Sequence, residues 1–144
     1  MVQSYNENDP REIFFNYLFS HTCSRKQAEI FLMRKKFNEP EKLLREAEYA
    51  GLIDDKAFAD LFAFGHLHWG DLKIFHELAL RGIDKKNINI ALKNIPDEQT
   101  RARKLYNDWK NYLDIKKIIA RLRSRGFSNN SLRSIYNNGS DINF

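Results

Sequence analysis

The feature that most constrains the fold is a tetrapeptide pattern that occurs three times. Lys35-Lys36-Phe37-Asn38, Arg81-Gly82-Ile83-Asp84 and Arg125-Gly126-Phe127-Ser128 each run basic residue, glycine or lysine, large apolar residue, helix-capping residue. Their apolar members lie 46 and then 44 residues apart. Nine positions before each stands Ala28, Ile74 or Ile118, and five before stands Leu32, Leu78 or Leu122. The connecting segments keep step, since Phe58, Ala59 and Phe62 match Arg101, Ala102 and Leu105 at a spacing of 43. A period in the mid-forties marks a stacked helical array, whose units are too small to bury their apolar faces alone and are expected to complete one another's core.

Local signals inside each period are helical. Asp9-Pro10 reads as an N-cap followed by proline at the first helical position, and Ser24 with Gln27 as a capping box. Asp54, Asp84, Asp97 and Ser128 precede further apolar stripes, among them Phe58, Leu61 and Phe62 and then Leu72, Phe75, Leu78 and Ala79. Gly51, Gly82 and Gly126 fall where helices end. Lys36 takes glycine's place in the first copy, where a left-handed backbone is strained, so that turn is expected to differ. No stretch alternates with the period of a strand. The chain is therefore expected to be all-α, with three tandem three-helix repeats over residues 10–51, 52–95 and 96–136 stacked into an elongated, curved array. Flexible segments are expected at 1–9 and 137–144.

Charge is distributed unevenly. Residues 1–100 carry 14 basic and 16 acidic side chains, whereas residues 101–144 carry 10 and 3. Lys117, Arg121 and Arg125 recur at the spacing of one helical face, with Lys116, Arg123 and Arg133 nearby. Arg81, Lys85 and Lys86 form a smaller counterpart, and residues 39–60 are acidic. Like charges four apart on a helix repel by about 0.2–0.5 kcal/mol per pair, so an unneutralised ridge suits an anionic partner, nucleic acid or an acidic protein surface. A solvated helix face is the competing account. Most aromatic residues, including Phe14, Phe31, Phe75 and Trp109, sit on apolar stripes and are expected in the core. Trp69, beside Gly70 at a turn, is the candidate interface aromatic.

Other chemistry finds little support. His66 and His68, read on a helix, point about 200° apart, and neither they nor His21, Cys23 and His76 show metal-ligand spacing. Asp54 and Asp55 read as helix-capping carboxylates. Phosphate-cradling glycine motifs and recognisable nucleophile arrangements are missing from the sequence, so no catalysis, metal or cofactor is expected. With one cysteine, no secretory leader and no long apolar run, a monomer in the reducing cytoplasm, away from membranes, is expected.

Gly51-Leu52-Ile53-Asp54-Asp55 followed by Phe58-Ala59 resembles the "GLIDD..FA" block of the RecX family, regulators of the RecA recombinase. Leu78-Ala79-Leu80-Arg81-Gly82-Ile83 resembles that family's "L..KGI", and Arg125-Gly126-Phe127-Ser128 its "RGFS". Ser24 through Phe37 follows the opening "S..EL...L..KGF" loosely. The resemblance implies a small non-enzymatic protein that lodges in the groove of the RecA filament on single-stranded DNA. There it inhibits ATP hydrolysis, strand exchange and coprotease activity. Arg81, Lys85, Lys86, Lys117, Arg121, Arg125 and Arg133 are then the expected contacts to filament protein or DNA phosphate. The alternative is a basic helix-turn-helix-like module that binds DNA without RecA.

Overall fold

Aspartate opens the first helix of each successive unit. Asp9, Asp54 and Asp97 take extended backbone conformations, and their carboxylates accept from Arg11, Ala57 and Thr100 N–H at 2.9, 3.1 and 2.7 Å. They start α1 (Pro10–Ser20), α4 (Asp55–Gly65) and α7 (Glu98–Trp109). Second helices follow as α2 (Arg25–Arg34), α5 (Asp71–Leu80) and α8 (Ile115–Ser124), and third helices as α3 (Pro40–Tyr49), α6 (Lys85–Lys93) and α9 (Asn129–Asn138). The Ser24–Gln27 capping box is formed in both directions. This computed structural model describes residues 9–138, and among them there are helices and no strands. The fold is all-α. Of the expected flexible ends, residues 1–8 and 139–144 lie outside the described residues. Asp9 serves as a cap, and residues 137 and 138 still belong to α9, which Leu132, Ile135 and Tyr136 hold against its core.

The buried side chains form three separate cores. One joins Phe14 and Leu18 to Ala28, Leu32, Leu44 and Ile53; a second joins Ala59 and Ala63 to Ile74, Leu78, Ile83 and Ile88; a third joins Ala102 to Ile118, Leu122, Phe127 and Leu132. The repeat-related triads Ala28, Ile74, Ile118 and Leu32, Leu78, Leu122 are all fully buried. In the fifth position after the capping aspartate stand Phe14, Ala59 and Ala102. Where it is alanine, the backbones come together, α4 on α6 and α7 on α9; where it is Phe14, the close pair is α2 on α3. Two residues read as inward-facing point out, Leu61 at 66% and Leu72 at 73% exposure. Each is two positions from the true stripe (Ala59 and Ala63, or Ile74 and Leu78), which puts it on the opposite side of its helix.

The three tetrapeptide turns are alike. Lys36, Gly82 and Gly126 all adopt positive φ, 56°, 82° and 85°. Each N–H bonds three residues back, to Met33, Ala79 or Arg123, and the next N–H reaches Leu32, Leu78 or Leu122, the Schellman pattern that satisfies the last carbonyls of a helix. The expected departure of the first turn therefore falls later: Glu39, at φ 53°, caps α3 with no side-chain hydrogen bond.

The units join through polar groups rather than a shared apolar core, and both junctions use the same parts. At the first, the Ser24 hydroxyl donates to the Arg81 carbonyl at 2.6 Å and the Arg25 N–H to Asp55 Oδ1 at 2.8 Å. At the second, the Gly70 N–H donates to the Arg125 carbonyl at 2.8 Å and the Asp71 N–H to Glu98 Oε2 at 2.7 Å. In each, the start of one unit's second helix meets the next unit's tetrapeptide turn and the first carboxylate of its first helix.

The second junction is more elaborate. Glu98 Oε1 also accepts from the Ser128 N–H, the Ser128 hydroxyl and the Ser131 hydroxyl at 2.8, 2.6 and 2.6 Å. Arg101, 4% exposed, donates to the Pro96 and Trp69 carbonyls and to Asp71 Oδ1 at 2.7, 3.0 and 2.8 Å. Burial alone would raise the Glu98 carboxyl, but the Ser128, Ser131 and Asp71 donors outweigh it and hold the group below the usual carboxylate range.

Candidate partner-binding surface

Trp109 closes α7 and is half-buried against the third core. It packs as its apolar stripe predicts, and its ring also carries two cations: the guanidinium carbons of Arg121 and Arg125 lie 5.0 and 4.9 Å from its centroid. A cation over an indole face gains about 0.5–1 kcal/mol at exposed sites. Arg121 and Arg123, in the last turn of α8, also oppose the negative end of that helix. Both effects give these residues a stabilising part to play while leaving their charge in solvent. Lys117, Arg121, Arg125 and Arg133 form no ion pair among the described residues, and Lys117, Arg121 and Arg133 are exposed.

The strip continues across the junction. Lys73 Nζ sits 4.4 Å from the Trp69 centroid, and the Trp69 ring in turn lies 4.2 Å from that of His66, tilted by 32°. The His68 imidazole is held below its ordinary value first by desolvation and then by the charge of Arg125, with His66 and Lys73 adding to it. Phe62 lies 4.1 Å from His66 and 6.0 Å from Trp69, and the Arg81 guanidinium stands over Phe62 at 4.8 Å. Arg81, Phe62, Trp69 and Lys73 thus form one run of cations and aromatic rings and Arg125, Trp109 and Arg121 another, and the two meet where the Gly70 N–H donates to the Arg125 carbonyl.

The expected site residues divide on this strip. Arg121 and Arg125 meet on Trp109, Lys117 lies one turn back along α8, and Trp69 joins them as a half-buried plate rather than a projecting anchor. Arg81 is on the strip but is committed, since its Nη1 donates to the Glu77 carbonyl and to Glu77 Oε2, both at 2.8 Å. Lys85 and Lys86 stand exposed in the first turn of α6 and Arg133 exposed on α9, and none of the three touches a ring of the strip. Lys73 and the platform role of Trp109 went unread in the sequence. The signal was present, because Trp109 precedes Arg121 and Arg125 by about one helical hairpin.

The acidic segment is partly spoken for. Arg25 binds Glu48 Oε1 at 2.6 Å, Glu41 Oε2 at 2.8 Å and Glu29 Oε2 at 3.6 Å, and Arg11 pairs with Glu46. Asp54 is an N-cap as read, whereas Asp55 works between units. His66 and His68 are not on a helix, because α4 ends at Gly65, and their ring centroids are 5.8 Å apart. Among the described residues, no three His, Cys, Asp or Glu side chains converge on a metal position. None of the described helices is long and apolar enough to cross a membrane.

These features define a class: an all-α protein of joined three-helix units that presents a cationic, aromatic-backed strip. Within that class the fold is that of RecX. The structure superposes on RecX from Lactobacillus salivarius with a TM-score of 0.74 and 24% identity, covering 92% of this chain and 96% of that one. It superposes on a second solved structure, of the regulatory protein RecX, with a TM-score of 0.69 and 21% identity, covering 89% of this chain and 70% of that one. No protein-family model and no curated protein matches the sequence.

Proposed function

We propose that the protein is a non-enzymatic regulator that binds the RecA filament on single-stranded DNA in the cytoplasm. It inhibits the filament's ATP hydrolysis, strand exchange and coprotease activity. The observation that carries this is the pair Arg121 and Arg125, cations at the end of α8 without an ion-pair partner among the described residues and held against Trp109, on a fold shared with RecX over nearly the whole chain. Surface complementarity does the work: guanidinium groups on a ring plate are oriented before contact, so less side-chain freedom is lost on meeting an anionic surface. Lys117, Arg121 and Arg125 are the principal contacts. Lys85, Lys86 and Arg133 contribute charge from outside the strip, and Arg81 supports it through Phe62. The protein acts as a monomer.

The test is RecA's single-strand-dependent ATPase at low salt with substoichiometric protein. Inhibition is expected, and the Arg121→Glu/Arg125→Glu variant, with helicity intact, should lose most of it. Absence of inhibition by the unaltered protein removes the proposal. Should the unaltered protein bind bare DNA with a steep salt dependence, and the same variant abolish that binding while RecA is unaffected throughout, the helix-turn-helix-like reading takes its place.

A further inference from the structure

Two residues make a unit able to receive its neighbour, and the first unit has neither. The receiving face of the second unit consists of the Asp55 carboxylate, the Arg81 carbonyl and Gly82; that of the third consists of Glu98, the Arg125 carbonyl and Gly126. The glycine is required by contact as well as by φ. A Cβ on Gly82 would come within 2.4 Å of Lys26 Cβ, and one on Gly126 within 2.8 Å of the Lys73 backbone nitrogen. In the first unit, Lys36 occupies the glycine's place at positive φ with an exposed side chain, so a helix seated there as Lys26 and Lys73 are seated on Gly82 and Gly126 would meet a Cβ. The carboxylate's place, directly after the capping aspartate, is held by Pro10.

The inserting end is altered in the third unit. Ser24 and Gly70 begin the inserting helices of the first two units; one donates a hydroxyl and the other a backbone N–H to the turn carbonyl. At Gly70 a Cβ would lie 2.1 Å from the Gly126 carbonyl oxygen. The corresponding residue of the third unit is Asp114, whose carboxylate accepts from the Lys117 N–H at 2.9 Å. Placed against a turn carbonyl, that carboxylate would set acceptor against acceptor and lose water from its charge with no added donor, which is unfavourable. The next N–H, that of Ile115, corresponds to those of Arg25 and Asp71 and has no partner among the described residues.

We propose that Pro10 and Lys36 on one face, and Asp114 on the other, are stops that prevent copies of this chain from stacking head to tail through the junction its own units use. The internal junctions are heterologous, and a heterologous contact with both faces open would continue into a filament. The inference is independent of any partner of the cationic strip.

Two variants test it. Pro10→Glu/Lys36→Gly opens the receiving face, and Asp114→Ser opens the inserting end. Each alone, like the unaltered chain, should sediment as a monomer. Mixed in equal amounts, they should form a one-to-one dimer, and the Ile115 amide resonance of the Asp114→Ser chain should shift on titration. All three substitutions in one chain should give concentration-dependent elongation. Should Pro10→Glu fray α1, Lys36→Gly alone serves as the receiver, with a smaller shift expected at the same resonance. An unmoved Ile115 resonance in mixtures of folded variants at millimolar concentration overturns the proposal, and so does self-association of the unaltered chain with its Ile115 amide protected.

Discussion

At the scale of single residues, the closest approach at any described glycine is where Gly70 meets Gly126. Gly70 has an ordinary φ of −73°, so its need to be glycine comes only from the backbone 2.1 Å from where its Cβ would stand. Gly126 needs both a positive φ and space. Gly70→Ala therefore measures contact alone, and should cost about 1–3 kcal/mol, the range for overpacking a filled site. Gly126→Ala adds about 1–2 kcal/mol for a left-handed backbone with a Cβ and should unfold at the lower denaturant concentration of the two. Lys36→Gly relieves the same strain without a contact to lose. Because glycine gives back about 0.5–1 kcal/mol in unfolded-chain entropy, its net gain should stay below about 1 kcal/mol. Urea titrations of the three variants check the order; a Gly70→Ala protein as stable as the unaltered chain would contradict the close approach.

At the scale of helices and junctions, the sequence was legible wherever cause and effect lie within about one turn. The Asp and Ser caps, the stripes through Leu32, Leu78 and Leu122, and the turns at Gly82 and Gly126 are all local, and the repeat supplied their register. Leu61 and Leu72 depart from their apolar pattern because a short apolar run fits two helical phases, and only the partner helix decides between them. The junctions were illegible because Asp55 and Arg25, or Glu98 and Ser128, are 30 residues apart and bear no mark of pairing. The strip was half legible: the spacing of Lys117, Arg121 and Arg125 was visible, but their seating on Trp109 depends on how α7 meets α8.

The two junction carboxylates should answer acid in opposite directions. Donors hold Glu98 below its ordinary value, so its contribution is full above the unfolded carboxylate range, near about 4.3, and is lost as pH falls through the folded value. Burial raises Asp55, more than the Arg25 N–H lowers it, with Glu48 and Asp84 adding to the rise. Its ionised form therefore costs stability at neutral pH, and that cost disappears as pH falls through its folded value. Glu98→Gln should thus lower the melting temperature at pH 7, by an amount corresponding to about 1–3 kcal/mol for a buried, multiply bonded acceptor, with the deficit shrinking toward pH 3. Asp55→Asn, which keeps an acceptor for the Arg25 N–H, should raise it at pH 7, with the gain shrinking over the same range. Melting curves of the two variants and the unaltered protein across that range decide the matter; deficits of the same sign would refute it.

At the scale of the whole molecule, shape follows from how the cores are divided. A chain of 144 residues that pooled its apolar residues in one core would have a radius of gyration of roughly 14.5 Å, from the scaling for single compact domains. Here three cores are each closed by their own helices, and polar contacts of one design join the first to the second and the second to the third. Repeating one junction repeats one rotation and one translation, which sets units along a line or an arc instead of around a centre. The cationic strip gains from this, because it runs from Arg81 and Phe62 in the second unit to Arg121 in the third and stays continuous only while the Gly70–Gly126 contact fixes one against the other. Solution scattering should accordingly give a radius above 14.5 Å with the pair-distance asymmetry of an elongated particle. Gly70→Ala should broaden that distribution and weaken RecA inhibition together while each unit keeps its helicity. A radius matching the compact value would mean that the units fold back on one another, and the strip could not then present one extended edge to a filament.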